Sequence, residues 1–273
     1  MRGDLPQPDR DRLSTLTALV ILSYALIRIV VLPIFSAELA FAGLIFEFEV
    51  DTRLIMLTLV AALTVAGADW LLRSHPALKP GDQTFEHWIV PGMTALAAGI
   101  ILTRLPGGTA VWIGLAAGAT LLMAVLLAEF LIHDPADPRH DLAAVVLRTL
   151  AYLLLVGILF TMHAVDLRSV YRVPLSLAVV MVISWRLLQI PTSGDDQAVL
   201  VFALIVGGIS AQLVWALHYW PLPSFRFALL VGLFVYVSNG LMETMRAGEM
   251  SRARLIEFAS VALVGLTGIL VFS

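Results

Sequence analysis

The run "HDPADPRHD" at residues 133–141 packs His133, Asp134, Asp137, His140 and Asp141 into nine positions. Imidazole nitrogens and carboxylate oxygens are the donor types that hold zinc or calcium, so the run invites a metal or phosphate site. Its prolines point elsewhere. Asp134-Pro135 and Asp137-Pro138 each read as an aspartate cap followed by proline at the first helical position, where the missing N–H costs nothing. The spacing predicts that Asp137 caps a helix, and no metal site is expected.

Other ionisable residues lie inside long apolar runs, where a charge costs about 2.5–3.5 kcal/mol on insertion scales and marks a functional position by default. Arg28 falls just outward of the middle of the first run. Asp69, Glu129, Arg186 and Glu243 each fall about one helical turn before the end of an even-numbered run. Arg148 lies near the same side. Arg148 and Arg186 are expected to pair with Asp69, Glu129 or Glu243, either as structure or as the lining of a proton or ion path. Asn239 is the only asparagine and stands one turn before Glu243. Asn239-Gly240 is expected to loosen its helix, as broken helices do in carriers.

The stretch "GLIFEFEVDTR" at residues 43–53 is different in kind. Acids alternate with apolar residues at period 2, the signature of an extended segment with two faces. It predicts a short β-like hairpin or flap over 36–50, with Gly43 at the turn. Phe46, Phe48 and Val50 would rest on the bundle, and Glu47, Glu49 and Asp51 would turn to arginines at helix ends. Acids that simply face water, or a lid over a cavity, are the alternatives. The candidate functional or ion-pairing positions are therefore Arg28, Glu47, Glu49, Asp69, Glu129, Arg148, Arg186, Asn239 and Glu243. His163 and His218 read as interfacial histidines near outer helix ends.

No nucleophile elbow, phosphate-binding loop, paired metal motif or dinucleotide glycine pattern is present, and no cofactor is expected. The absence of cysteine excludes disulfides and thiolate chemistry, and the single lysine, Lys79, lies between apolar runs, which excludes a Schiff base inside one. Net charge is −3, which implies no nucleic-acid partner.

These residues need a scaffold, and composition names it. The chain is 60% hydrophobic with 14% charged residues, against about a quarter in soluble domains. Its mean hydropathy is +0.93. Too little polar surface remains to cover a globule, so the solvent is a bilayer, which takes spans of about 20 apolar residues. Nine are read, at about 13–35, 52–72, 87–105, 110–132, 142–165, 173–190, 198–219, 227–245 and 255–272, and eight if one short span is lost. They form one all-α transmembrane bundle, a single integral membrane domain over 1–273 with a tail at 1–12. The first run is longer than a signal-peptide core and is read as uncleaved. Lys and Arg bias places the N-terminus on the cytoplasmic side. The six tryptophans fall near span ends, as interfacial anchors do. "GLAAG" at 114–118 reads as a small-residue face for close helix packing.

"GADWLLRSHP" at 67–76, "AEFLIHDPADPRHD" at 128–141 and "LHYWPL" at 217–222, in this order and spacing, resemble an uncharacterised group of bacterial polytopic membrane proteins, a domain of unknown function. The resemblance covers most of the chain. It implies a bacterial plasma membrane and transfers no catalytic residue. Three functional readings follow. The absence of motifs fits best a non-catalytic accessory or scaffold subunit, or a stand-alone bundle, with lipids and a membrane-protein partner around it. A small-solute or ion-coupled transporter requires a cavity lined by Arg28, Asn239 or Glu243. A lipid-modifying enzyme requires the 133–141 acids and histidines to converge with Arg73 or Arg148.

Overall fold

The computed structural model describes residues 8–29, 34–41, 44–79, 81, 84–135, 137–165, 168–190 and 196–272, and within them no side chain at 28, 29, 34–41, 44–51, 54, 196 or 272. Among the described residues the helices are α1 (Arg10–Ile29), α2 (Thr52–Leu72), α3 (Ile89–Arg104), α4 (Thr109–Leu131), α5 (His140–Ala164), α6 (Ser169–Gln189), α7 (Asp196–His218), α8 (Ser224–Arg246) and α9 (Arg252–Phe272). A single 3-10 turn, Phe85–Trp88, leads into α3. Helices suit so apolar a chain because a helix satisfies its backbone N–H and C=O within itself, as a lipid surrounding would require. Eight of them, α2 to α9, are long and apolar enough to cross a membrane; α1, the first of the nine expected spans, is not among these.

Between α1 and α2, the extended segments β1 (Ile34–Phe41) and β2 (Leu44–Asp51) pair antiparallel, with Glu38 opposite Glu47 and Ser36 opposite Glu49. The expected turn at Gly43 and the expected ion pairs of Glu47, Glu49 and Asp51 lie outside the described residues.

The chain divides into two compact units, residues 1–143 and 144–273. The first holds α1 to α4. Leu16, Val20, Tyr24 and Ile27 recur along one face of α1 and meet Leu57, Val60, Ala68 and Leu71 of α2, with Leu122, Leu126 and Phe130 of α4 completing the core. Tyr24 brings a polar end into this core and satisfies it by donating to the Ala95 carbonyl at 2.5 Å. Gly99 lets α3 come that close, because a Cβ there would collide with Leu57 and approach the Tyr24 ring to 3.0 Å. The 114–118 face packs as its small residues suggest: a Cβ on Gly114 would run into Leu102 and Leu105, and one on Gly118 would stand 3.8 Å from Ala98.

The second unit holds α5 from Ala144 onward, with α6 to α9. Leu147, Ala151, Leu155 and Leu159 make the buried stripe of α5, and Phe227, Ala228, Val231 and Val235 that of α8. The longest contact is between α6 and α7. There a Cβ on Gly207 would come to 3.2 Å of the Leu177 carbonyl, so the two helices approach to backbone distance. Helix α6 starts before the expected 173 and carries Pro174 in its second turn. Helix α9 is the least buried: Ile256, Leu263 and Val264 stand exposed along it, and Ile269 is buried.

Candidate functional site

Helical spacing builds the polar wall of the second unit. On α5, Arg148 and Tyr152 stand four apart on one flank; on α8, Tyr236, Asn239 and Glu243 follow at spacings of three and four. Residues so spaced share a face, and each column presents its polar ends together. The columns meet. Arg148 Nη2 donates to Glu243 Oε1 at 3.0 Å. Asn239 Nδ2 donates to the Tyr152 hydroxyl at 3.4 Å. The rings of Tyr152 and Tyr236 pack edge to face at 5.4 Å.

These side chains line a cavity of about 580 Å³ that Leu187 and Leu188 of α6 and Phe258 of α9 bound on the apolar side. At its rim Arg254 pairs with Glu257 at 3.3 Å and reaches Glu249 at 3.8 Å. One group on the wall is unsatisfied. Asn239 is only 3% exposed, and its Oδ1 is buried without a hydrogen-bond partner. Leaving such an acceptor unmet costs on the order of 1–3 kcal/mol.

A second polar cluster sits in the first unit, where α3 begins and α4 ends. His87 Nδ1 lies 2.7 Å from Glu129 Oε2, and both side chains are buried. The His133 ring stands 5.4 Å from His87 on one side and 5.4 Å from His75 on the other, and His75 packs edge-on against Phe130 at 4.5 Å. Nearby, Asp69 pairs with Arg73 at 2.7 Å and accepts from the Thr84 hydroxyl. Burial holds the His75 imidazole below its ordinary range against the pull of Asp134 and Asp137. The Arg139 guanidinium, 2.7 Å from Asp137, holds that carboxyl below the usual range and is itself pushed up in return. Among the described residues no group of three His, Asp or Glu side chains is placed to hold a metal ion.

The expected partners resolve as follows. Glu243 takes Arg148, Glu129 takes His87, and Asp69 takes Arg73 and Thr84. Arg186 is buried at the end of α6. The side chains of Arg28, Glu47 and Glu49 lie outside the described residues. One expectation changes. Helix α8 runs unbroken through Asn239-Gly240, and Gly240 serves contact instead: a Cβ there would strike the Phe258 ring. Asp137 stands at the entry to α5, whose assigned helix begins at His140: its Oδ1 accepts from the Arg139 N–H at 2.8 Å and its carbonyl from the His140 N–H at 2.9 Å, the bonds an aspartate cap makes.

Near the other helix ends, Arg172 Nη1 lies 2.7 Å from His218 Nδ1. His163 contacts the Leu222 carbonyl through Nε2 at 3.1 Å. Sequence reasoning missed His75, His87 and Tyr152 as site residues. Tyr152 and the Arg148 column were findable from the i, i+4 spacing on α5. His87 was not, because its partner is 42 residues away and on another helix.

A family model described as a protein of unknown function (DUF5656) matches residues 32–272. No curated protein and no solved structure matches the chain.

Proposed function

Because the chain belongs to the DUF5656 family, whose function is unknown, its own polar geometry has to carry the reading, and we propose that it is a membrane-embedded solute-binding protein of the carrier type. Its site is the cavity between α5, α6, α8 and α9. The supporting observation is the cavity itself, about 580 Å³ and walled by Arg148, Tyr152, Tyr236, Asn239 and Glu243 against Leu187, Leu188 and Phe258, large enough for a small molecule. Ligand pockets run from about 300 to 1,000 Å³ and use a few placed polar groups on apolar walls.

The accessory-subunit reading has no comparable support. The exposed apolar flank of α9 is what lipid covers as readily as a partner would. The lipid-chemistry reading needs the acids and histidines of 133–141 to converge, and Asp137 is engaged by Arg139 while His133 stands against His75 and His87. The finer layout belongs to the same proposal. It has nine spans in a bacterial plasma membrane, the N-terminus cytoplasmic, and a flap over 36–50 whose Glu47 and Glu49 pair with arginines. Glu47→Gln with Glu49→Gln then lowers the melting temperature in detergent, and an unchanged value removes the flap pairing.

The test of function uses thermal unfolding of the protein in nanodiscs against a panel of small amines, amino acids, carboxylates and sugars. At least one class raises the melting temperature of the native chain. Asn239→Leu takes the amide off that wall together with its bond to the Tyr152 hydroxyl, and the ligand-induced shift disappears while the variant still unfolds cooperatively. Thr149→Trp, on the exposed rim, blocks the cavity and abolishes the shift too. If no class shifts the native protein, or Asn239→Leu keeps the full shift, the cavity is not the site.

A further inference from the structure

Apart from the cavity and independent of it, we infer that the first unit takes up one exchangeable proton at Glu129, delivered through His87 from the surface carboxylate Glu86. Burial sets the order of the path. The Glu86 side chain is 31% exposed, while that of His87, next in the 3-10 turn, is 5% exposed. Glu129 on α4 is 1% exposed. The His87 ring spans the two carboxylates: Nε2 lies 3.5 Å from Glu86 Oε1, and Nδ1 lies 2.7 Å from Glu129 Oε2. An imidazole accepts a proton at one nitrogen and releases one at the other. So placed, it joins an acid that solvent reaches to one that solvent does not. The 3.5 Å contact is long for transfer at rest, and the exposed Glu86 has the rotamer freedom to close it.

Charge supplies the reason for uptake. With His87 neutral and Glu129 ionised, the buried pair carries one net negative charge, which a dry site disfavours. One added proton makes the pair neutral. Glu86 takes that proton from water and passes it to Nε2. The Nδ1 proton then moves to Glu129 Oε2, and the ring is left neutral in its other tautomer. The surroundings keep the count at one. The His133 ring stands 5.4 Å from His87 and 5.4 Å from His75, so a second charged ring would be opposed by like charge. His75 Nδ1 accepts from the Ala77 N–H at 3.2 Å, which puts its own proton on Nε2. Burial keeps that ring from charging, against Asp134 and Asp137. Of the other acids near the turn, Asp69 is taken by Arg73 and Thr84, and Asp137 by Arg139. Helix α3 carries its one ionisable side chain, Arg104, at the far end.

The experiment is a pH jump on the full chain in nanodiscs, followed by time-resolved infrared spectroscopy at the C=O stretch of protonated carboxyl groups. Acidification of the native chain produces a component of this band that Glu129→Gln lacks. The glutamine keeps an acceptor for the His87 ring, so the fold is retained. Glu86→Gln keeps the component and slows its rise by about a hundredfold, the low end of what a positioned proton-transferring side chain contributes. His87→Gln, which retains a donor to Glu129, loses the fast rise as well. Thr84→Val removes the hydroxyl that ties the start of the turn to Asp69, off the path, and leaves the rate unchanged.

If the native and Glu129→Gln bands coincide while both proteins melt cooperatively, Glu129 takes up no proton and the inference is overturned. A Glu129 component that rises as fast in Glu86→Gln as in the native chain overturns the entry through Glu86. One that rises as fast in His87→Gln overturns the relay. Equal slowing in Thr84→Val overturns the path too, because loosening of the turn would then account for the Glu86 effect. The cavity of the second unit is untouched by each of these results, since its test reads ligand-induced melting shifts.

Discussion

Among the described residues, Asp69, Glu129 and Glu243 draw their partners from separations of 4, 42 and 95 residues, and what each loss does depends on burial as well as on distance. Asp69 and Arg73 are one turn apart on the end of α2, and Arg73 is half exposed. Such an exposed, screened pair contributes little to stability. Glu129 and His87 are both buried and come from different helices. Removing one takes from the other its 2.7 Å partner in a dry site. His87→Ala and Glu129→Ala are each expected to cost about 1–3 kcal/mol, and His87→Leu with Glu129→Leu less than the sum of the singles. A double-mutant cycle on nanodisc melting curves checks it, and additive losses would show that the pair is not coupled.

Two groups near this end give separate pH windows. Burial depresses the folded pKa of His75, so the unfolded chain takes up that proton first. Stability tied to His75 is complete above about pH 6.5 and declines as pH falls below it. Asp137 is depressed chiefly by Arg139, so its contribution is complete above about pH 4 and declines as pH drops further. His75→Gln flattens the upper window alone and Asp137→Asn the lower one alone. A melting temperature that stays level across both windows in the native chain contradicts both assignments.

At the scale of elements, close helix contacts depend on glycines whose Cβ has no room. Gly99 seats α3 against Tyr24 and Leu57, and Gly240 seats α9 against α8 through the Phe258 ring. Overpacking a fitted contact costs about 1–3 kcal/mol. Gly99→Val therefore lowers the melting temperature. Gly240→Val acts differently, because α9 is little buried and has room to give way. It displaces Phe258 from the cavity lining and weakens ligand binding more than it destabilises the fold. Equal loss of binding in Gly99→Val and Gly240→Val, at equal loss of stability, would mean that Gly240 has no special tie to the cavity. The unbroken course of α8 fits this assignment, since a helix held on one face by Phe258 gains nothing from opening at Asn239.

At the scale of the molecule, parity is the open quantity. The chain has no cysteine, so single introduced cysteines report without background. With α1 as a span, Gln7→Cys and Ser251→Cys lie on the same side, Gly107→Cys lies opposite, and an impermeant maleimide on intact cells labels only Gly107→Cys. Labelling that puts residues 7 and 251 on opposite sides removes α1 from the membrane. The sequence by itself determined that this is a helical chain with most helices long and apolar enough to cross a membrane, and about where those helices fall. Hydropathy and the self-satisfied backbone are local properties, legible in any window of about 20 residues. It also placed Asp69, Glu129 and Glu243 about a turn from helix ends, because insertion cost is local too. It did not determine which partner each carboxylate takes, nor that Tyr152 and Asn239 meet across a cavity. Arg148 and Glu243 are 95 residues apart, and Glu129 and His87 are 42. Those meetings follow from which helices adjoin and how each is rotated about its axis. Packing of whole faces sets both, and no short stretch of sequence records it.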